Sequence, residues 1–236
     1  MWRYFKNNTI KPQLKLKKMK NSSLFYILTL SFFILSCENN PKENSDTSGL
    51  PYIGHHDIVY EEMEGYQPGD TIYHSVPEFR YLTQDSTYLN SNDISDKIWI
   101  AKFFFTHCPT ICPPMTAAMQ EVNRELKDNS NEVIFLSFSI DPDRDTPSRL
   151  RTYIERHEIE ADNWYFLTGN ESETHKLGVD GFRIHAEAND ASPGGFAHSP
   201  NFVLVDKNQN IRGVYDGLEK KDRERLIQDV RKLLDN

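Results

Sequence analysis

The sequence predicts an α/β domain in which helices flank a central mixed sheet, with extended segments on its N-terminal side. Residues 98–106 (IWIAKFFFT) and 133–140 (VIFLSFSI) are apolar, β-branched and aromatic runs, typical of strands buried on both faces. A segment with helix-forming character follows each run. Near the C-terminus, two further apolar runs flank a polar turn and precede an amphipathic segment.

The chain begins with a segment typical of a secretory signal. Residues 1–23 carry seven basic and no acidic residues, and thirteen uncharged, largely apolar residues follow at 24–36. Such a run is short for a bilayer span. It ends in Ile34-Leu35-Ser36-Cys37, which resembles the lipobox of bacterial lipoproteins, so Cys37 is the predicted lipidation site. A free-standing anchor with an unmodified thiol is the alternative, and Met19 would make a more ordinary start.

Composition predicts a signal peptide at 1–36, a flexible tether at 37–56 and one domain at 57–236. Residues 38–49 are polar and short of large apolar groups, so they cannot bury enough surface to become ordered. Residues 57–236 have a common length for a single domain. The expected location is therefore the cell envelope, with a membrane-anchored lipoprotein whose domain faces the periplasm.

The net charge argues against one class of partner. The formal charge of the whole chain is −8, and loss of the seven basic residues in 1–36 takes it to −15. Nucleic acid requires a positive patch, so we expect no nucleic-acid binding. An acidic surface suits a partner that carries cations, although a need for solubility explains the excess of acidic residues equally well.

The elements of the domain can be assigned in order. Residues 57–89 are expected to form extended segments with a turn at 67–70. Pro113 and Pro114 suit the first turn of a helix, where a missing N–H costs nothing. Asp145 or Thr146 is placed to cap a later helix, and Gly178 is placed to end another. The predicted strands and helices are strands at 98–106, 133–140 and 164–167, helices from 113, at 147–157 and 171–177, a hairpin of 201–205 and 211–215, and a helix at 218–234. This order is that of a thioredoxin-like fold.

Cys108 and Cys112 are the remaining cysteines once Cys37 carries lipid. Outside the cytosol, two cysteines four positions apart either oxidise together or hold a metal. A purely structural disulfide is not expected, because so small a loop constrains the unfolded chain little. The helix that begins here favours thiolate over thiol, through its dipole and its unpaired N–H groups. A lowered thiol pKa serves metal binding and disulfide exchange equally.

His198 is the candidate third ligand, since two thiolates and one imidazole suit three-coordinate Cu(I). Three residues between the cysteines place the sulfurs a helical turn apart and leave room for a metal, whereas disulfide oxidoreductases of this fold usually have two. Taken alone, His198 is better interpreted as a partly exposed loop histidine. His198 immediately precedes the predicted strand at 201, however. In a thioredoxin-like fold, the segment before that strand lies beside the active-site helix.

Three motifs occur in order along the chain: FFTHCPTICP at 104–113, SIDPDRDTP at 139–147 and Ala197-His198-Ser199. The run FVLVDKNQNI at 202–211 follows them. Together they resemble the Sco/SenC family, the membrane-tethered thioredoxin-fold proteins that deliver copper to cytochrome c oxidase. The likeness spans roughly residues 70–236.

The resemblance implies that Cys108, Cys112 and His198 are copper ligands for Cu(I), with Cu(II) left open. It also implies three partners: the cytochrome c oxidase subunit that carries the CuA site, an upstream copper donor protein, and the membrane through a lipid anchor. In the family, the loop at 141–146 packs near the metal, so Asp141 would orient a ligand or meet the partner. A turn-and-cap role explains the other polar residues of this loop equally well.

Other functions use the same residues differently. A thiol–disulfide reductase that keeps the oxidase cysteines reduced, or a redox sensor, needs Cys108 and Cys112 alone. A peroxiredoxin-like peroxidase would place a threonine three residues before its reactive cysteine, where this chain has Phe105. His107 is either a spare ligand or simply an exposed side chain. Residues 109–111 are neutral, whereas the family pattern often includes an acidic residue between the cysteines.

Overall fold

The computed structural model describes residues 46–160, 162–184, 186–188 and 196–236, and for 186–188 and 196–198 it describes the strand backbone alone. The predicted signal peptide, Cys37 and the first part of the predicted tether lie outside the described residues. None of the helices in the described part is both long and apolar enough to cross a bilayer.

Strands and helices alternate from residue 98 to residue 176, as the sequence predicts, and four of the described strands and a helix follow. The described strands are β1 (His56–Ile58), β2 (Thr71–Tyr73), β3 (Arg80–Thr83), β4 (Tyr88–Asn90), β5 (Ile98–Phe104), β6 (Val133–Ser139), β7 (Trp164–Thr168), β8 (Ala186–Ala188), β9 (Phe196–His198), β10 (Asn201–Val205) and β11 (Ile211–Asp216). The described α-helices are α1 (Cys112–Glu125), α2 (Pro147–Arg156), α3 (Glu171–Lys176) and α4 (Lys220–Leu234).

Seven of the described strands form one mixed sheet in the order β11-β10-β5-β6-β7-β3-β4. The central strands β5, β6 and β7 are parallel, and the outer neighbours are antiparallel. Every residue of β5 and β6 is buried, which explains why these strands appear as continuous rather than alternating apolar runs. The predicted fold class, a thioredoxin-like α/β fold with a central mixed sheet, is confirmed.

The helices bury the apolar positions that the sequence singles out. Met115, Met119 and Val122 of α1 are fully buried, and Leu126 follows at the end of the helix. The terminal helix α4 buries Leu226, Val230 and Leu233 on one stripe, with Ile227 and Leu234 partly buried beside them. Burial of a continuous stripe, rather than helix propensity, holds such short helices on the sheet.

One helix cap follows the sequence prediction, and two helix boundaries differ from it. Of the two candidate caps of α2, the structure uses Thr146, whose hydroxyl accepts a hydrogen bond from the Arg149 N–H, while Asp145 is buried. Gly178 does not end α3, because Leu177–Gly181 continue it as one π-helical turn. The first turn of α1 begins at Cys112 itself, one residue before the paired prolines.

Asp46–Asn236 form one compact unit, which includes part of the segment 37–56 that composition predicts as a tether. Arg212 on β11, whose side chain is almost fully buried, holds the start of this unit. Its guanidinium donates hydrogen bonds to Asp206, Asp46, Ser48 and the carbonyls of Leu50 and Pro51. The segment 46–51 is polar in composition but is held by a buried charge that lies far along the chain.

Candidate metal centre

Cys108 and Cys112 lie where the central strand β5 leads into α1. The chain turns after Phe105, whose carbonyl accepts a hydrogen bond from the Cys108 N–H at 3.3 Å. Cys112 is the first residue of α1 and is fully buried, while Cys108 retains 7% of its exposure. The two sulfurs are not joined in a disulfide. Both thiols are therefore buried, and Cys108 is the one closer to solvent.

The environment of Cys112 differs from the prediction of a lowered thiol pKa. Burial raises the pKa of Cys112, and the adjacent Cys108 sulfur, which hydrogen-bonds it, raises the pKa further. A backbone hydrogen bond from Phe105 and the cation of Lys102 act in the opposite direction without reversing the shift. The expectation from the helix dipole was wrong for Cys112, because desolvation of a fully buried thiolate outweighs it. A thiolate here needs a cation close by.

The backbone places His198 at the same end of the sheet as the cysteines. Strand β9 ends at His198, and only Ser199 and Pro200 separate it from β10. Strand β10 runs antiparallel to β5, with Val203 opposite Ala101. The start of β10 therefore lies at the end of β5 that leads to Cys108. The His198 side chain lies outside the described residues.

A short antiparallel pair of strands carries His198. Ala186 on β8 lies opposite His198 on β9 in this pair, which is separate from the main sheet. Among the described side chains, no group of three or more His, Cys, Asp or Glu converges in a metal-binding arrangement. The sulfur pair is thus the described part of the predicted ligand set.

Asp141 contacts His107, the neighbour of Cys108. The His107 Nδ1 atom lies 3.3 Å from Asp141 Oδ2, an ion-pair distance rather than a well-formed hydrogen bond. Arg144 Nη1 lies 2.7 Å from His107 Nε2 and 3.2 Å from the same Asp141 oxygen. Since a guanidinium can only donate, Nε2 accepts and the ring proton sits on Nδ1, facing the carboxylate. His107 is therefore a half-buried, engaged side chain and not a simple exposed one.

Asp145 joins the cysteine loop to the loop after β6. Its fully buried carboxylate accepts hydrogen bonds from the Thr106 N–H at 3.0 Å, the Thr106 hydroxyl at 2.5 Å and the Ser139 hydroxyl at 2.7 Å. Thr106 precedes Cys108 by two residues, so this carboxylate fixes the start of the cysteine loop. The sequence suggested only a capping role for Asp145.

Lys102 is the residue near the site that the sequence analysis missed. It lies in the middle of β5, is fully buried, and donates a hydrogen bond to Thr116 Oγ1 at 2.7 Å. Thr116 in turn lies 2.8 Å from the Tyr153 hydroxyl. Burial lowers the pKa of Lys102 to about 7, and negative charge at Cys112 raises it. The available signal was a lone charge inside the run 98–106.

Comparisons with known proteins identify the family of this chain. The SCO1/SenC family model matches residues 69–235. The SCO1 protein homolog of Bacillus subtilis is 32% identical over 168 residues, which cover 71% of this chain and 86% of that protein. The crystal structure of a SCO1/SenC family lipoprotein from Bacillus anthracis aligns with a TM-score of 0.63 at 32% identity, over 68% of this chain and 95% of that chain.

Two further solved structures bear on the chemistry of the cysteines. BsSco, described as a member of the Sco family of cytochrome c oxidase assembly proteins with a disulfide switch, aligns with a TM-score of 0.61 at 31% identity, over 68% of this chain and 93% of that chain. Copper-bound ScoI of Bradyrhizobium japonicum aligns with a TM-score of 0.56 at 22% identity, over 67% of this chain and 99% of that chain. The match to the Bradyrhizobium japonicum protein, at 22% identity, shows a shared fold.

Proposed function

Because the chain belongs to the SCO1/SenC family, we propose that it is a copper-binding chaperone that acts in the assembly of cytochrome c oxidase. The observation that carries the proposal is the pair Cys108 and Cys112, two thiols in contact where the central strand leads into α1. The copper-bound state of a structural neighbour and the oxidase-assembly role given for BsSco support it.

The proposed copper ligands are the sulfurs of Cys108 and Cys112 and the imidazole of His198. The donor set fits Cu(I), which prefers soft thiolates and accepts low coordination numbers. The burial of Cys112 supports a metal as well, because a bound cation removes the penalty that burial imposes on its thiolate. Three ligands would leave the ion open to attack by an incoming sulfur.

Transfer would proceed by exchange of ligands with the partner. Cys108 is the more exposed of the two cysteines, so its bond to copper is the one that an incoming thiolate replaces first. Cys112, fully buried, would hold the ion until the partner has a second ligand in place. The proposed acceptor is the CuA site of cytochrome c oxidase, and the proposed donor is a separate copper-carrying protein.

The proposed location completes this function. Lipid on Cys37 would hold the domain at a membrane, facing the periplasm, where the CuA-carrying part of an oxidase lies. The likeness to a Bacillus anthracis lipoprotein supports a lipid anchor. Labelling of cells with a palmitate analogue tests it: wild type should take up the label and Cys37→Ser should not. Equal labelling of both would contradict the proposal.

Titration of the reduced protein with Cu(I), against a chromophoric chelator, tests metal binding. We expect one Cu(I) per chain, at least tenfold weaker binding for His198→Ala, and loss of binding for Cys108→Ser. His55→Ala, which removes an exposed histidine, is the matched control and should bind as wild type. Binding that is indifferent to His198→Ala would overturn the assigned ligand set.

A thiol–disulfide reductase that keeps the oxidase cysteines reduced is the second candidate. The disulfide switch described for BsSco favours it, as does the placement of both cysteines as thiols beside each other. This function does not use His198. In oxidase assembly, equal damage from His198→Ala and Cys108→Ser supports copper delivery, while damage from Cys108→Ser alone supports the reductase.

A further inference from the structure

A fully buried lysine lies behind the cysteine pair. Lys102 sits at the centre of β5, opposite Ser137 on β6, with no exposed surface. Its ammonium donates to one neutral hydroxyl, that of Thr116, and lies 5.6 Å and 5.3 Å from the ring centroids of Phe104 and Trp164. Among the described residues, no carboxylate forms an ion pair with it. Such an arrangement is costly for a charged group and calls for a compensating anion.

The geometry places that anion at Cys112. Thr116 follows Cys112 by one turn of α1, and side chains four positions apart lie on the same face with Cβ atoms about 5–6 Å apart. Both residues are fully buried, so the ammonium that contacts Thr116 lies on the side of α1 that also carries Cys112. The electrostatic effect of each group on the other is mutual.

The fully buried carboxylate of Asp145 is already satisfied. Asp145 accepts hydrogen bonds from Thr106 and Ser139, and Arg149 lies 3.9 Å from it. Lys102 therefore provides positive charge that no described acidic group uses. The thiolates of a metal-loaded site are the remaining candidates.

Charge arithmetic then distinguishes metal ions. Two thiolates and a neutral imidazole carry a charge of −2, so a monovalent ion leaves the site at −1 and a divalent ion leaves it neutral. An ammonium beside the site offsets the charge of −1 that remains with a monovalent ion. With a divalent ion the site is already neutral, so the ammonium leaves an uncompensated positive charge. Inside an apolar core this difference is not screened by solvent.

We propose that Lys102 is a specificity-determining residue that makes the Cys108–Cys112 site select monovalent Cu(I) over divalent ions. The inference rests on the proposed function, because it requires that the cysteine pair binds a metal. Lys102 is not one of the proposed ligands, and acts through the charge it places behind Cys112.

The test compares one monovalent and one divalent probe. Cu(I) and Zn²⁺ both bind thiolates, and Zn²⁺ does not oxidise them. Affinities of the reduced full chain for each ion are measured by competition with chelators, for wild type, Lys102→Met and Lys97→Met. Lys97→Met is the matched control, because it removes the same charge from a partly exposed lysine that pairs with Asp96.

We expect Lys102→Met to lower the ratio of Cu(I) to Zn²⁺ affinity at least tenfold, and Lys97→Met to leave it within twofold. Lys102→Met should also melt at the same temperature as wild type or higher, since it removes a buried charge. A role in folding alone would weaken both ions equally and lower the melting temperature. If Lys102→Met does not fold, Lys102→Gln takes its place.

The outcomes separate this inference from the function on which it rests. Wild type that binds neither ion overturns the proposed copper site, and the selectivity proposal with it. Wild type that binds Cu(I), together with a Lys102→Met ratio within twofold of wild type, overturns the selectivity proposal alone. An equal fall in the ratio for Lys97→Met would also overturn it, because net charge and not position would then be responsible.

Discussion

The carboxylate of Asp145 accepts hydrogen bonds from both the backbone N–H and the hydroxyl of Thr106, at 3.0 Å and 2.5 Å. This pairing joins the loop after β6 to the loop that carries Cys108. The Ser139 hydroxyl donates to the same carboxylate, so the two loops share one buried acceptor. The position of the Cys108 thiol therefore depends on a residue 39 positions away from Thr106.

Asp145→Asn should destabilise the protein by about 1–3 kcal/mol, because an amide cannot accept all three hydrogen bonds and leaves a buried donor unsatisfied. Urea denaturation monitored by tryptophan fluorescence measures this. Asp143→Asn, at an exposed position of the same loop, is the control and should change the free energy of unfolding by less than 0.5 kcal/mol, roughly. Equal effects from both variants would contradict the role assigned to Asp145.

Arg212→Met should cost about 3–5 kcal/mol, because it leaves the buried carboxylate of Asp206 without its partner. The same variant should free segment 46–51, which Arg212 holds through hydrogen bonds. Limited proteolysis followed by mass spectrometry should then detect cleavage within 46–51 much earlier than in wild type. Arg225→Met, on the exposed face of α4, serves as the control.

Attachment of this segment should weaken in acid. Burial alone would raise the pKa of Asp46, but hydrogen bonds from Ser48 and Arg212 outweigh burial and hold the pKa below its ordinary value of 3.8. A lowered pKa in the folded state contributes stability above the unfolded value and loses it as the pH falls through the folded value. Cleavage within 46–51 should therefore accelerate below pH 3.8 in wild type, and Asp46→Asn should show a smaller change over the same range. Identical pH profiles would count against the contact.

The imidazole of His107 should adopt the tautomer with its proton on Nδ1, because Arg144 donates to Nε2 and Asp141 faces Nδ1. Nitrogen chemical shifts of the imidazole distinguish the two tautomers directly. Arg144→Met should relax this preference and produce a mixture of tautomers. A wild-type spectrum dominated by the Nε2–H form would show that the contacts with Arg144 and Asp141 do not persist in solution.

Cys108 should react with iodoacetamide at least tenfold faster than Cys112. Cys108 is buried but retains a small accessible area, while Cys112 is fully buried and burial raises its pKa, which leaves little reactive thiolate. Mass spectrometry of the reduced protein, with Cys108→Ser and Cys112→Ser as references, gives the two rates. Comparable rates would contradict the assignment of Cys108 as the accessible sulfur.

The main elements of the sheet could be predicted because their signals are local. Strands β5 and β6 are buried on both faces, and their composition alone distinguishes them from amphipathic segments. The proline pair marked the start of α1 to within one residue. Strands β3 and β4 have three or four residues each, too short to carry a periodic pattern, so the order of strands at the sheet edge they form could not be predicted.

The details that sequence reasoning missed all depend on distant partners. In the sequence Lys102 is an isolated charge in an apolar run, and its hydrogen-bond partner Thr116 lies on another element, α1. Asp145 looks like a helix cap until the cysteine loop supplies Thr106. Segment 46–51 looks like a tether until β11 supplies Arg212. Composition and periodicity describe neighbours along the chain, and these contacts join residues that are neighbours only after folding.

The attachment of the N-terminal segment has a consequence for self-association. Strand β11 is one border of the sheet, and an open border strand is a template on which a second chain can pair. Ile53 bridges Ile211, and the residues bonded to Arg212 lie beside the same strand. Loss of the contacts between Arg212 and segment 46–51 would expose that border strand. The variant Arg212→Met is therefore expected to aggregate at concentrations where the wild-type protein stays monodisperse.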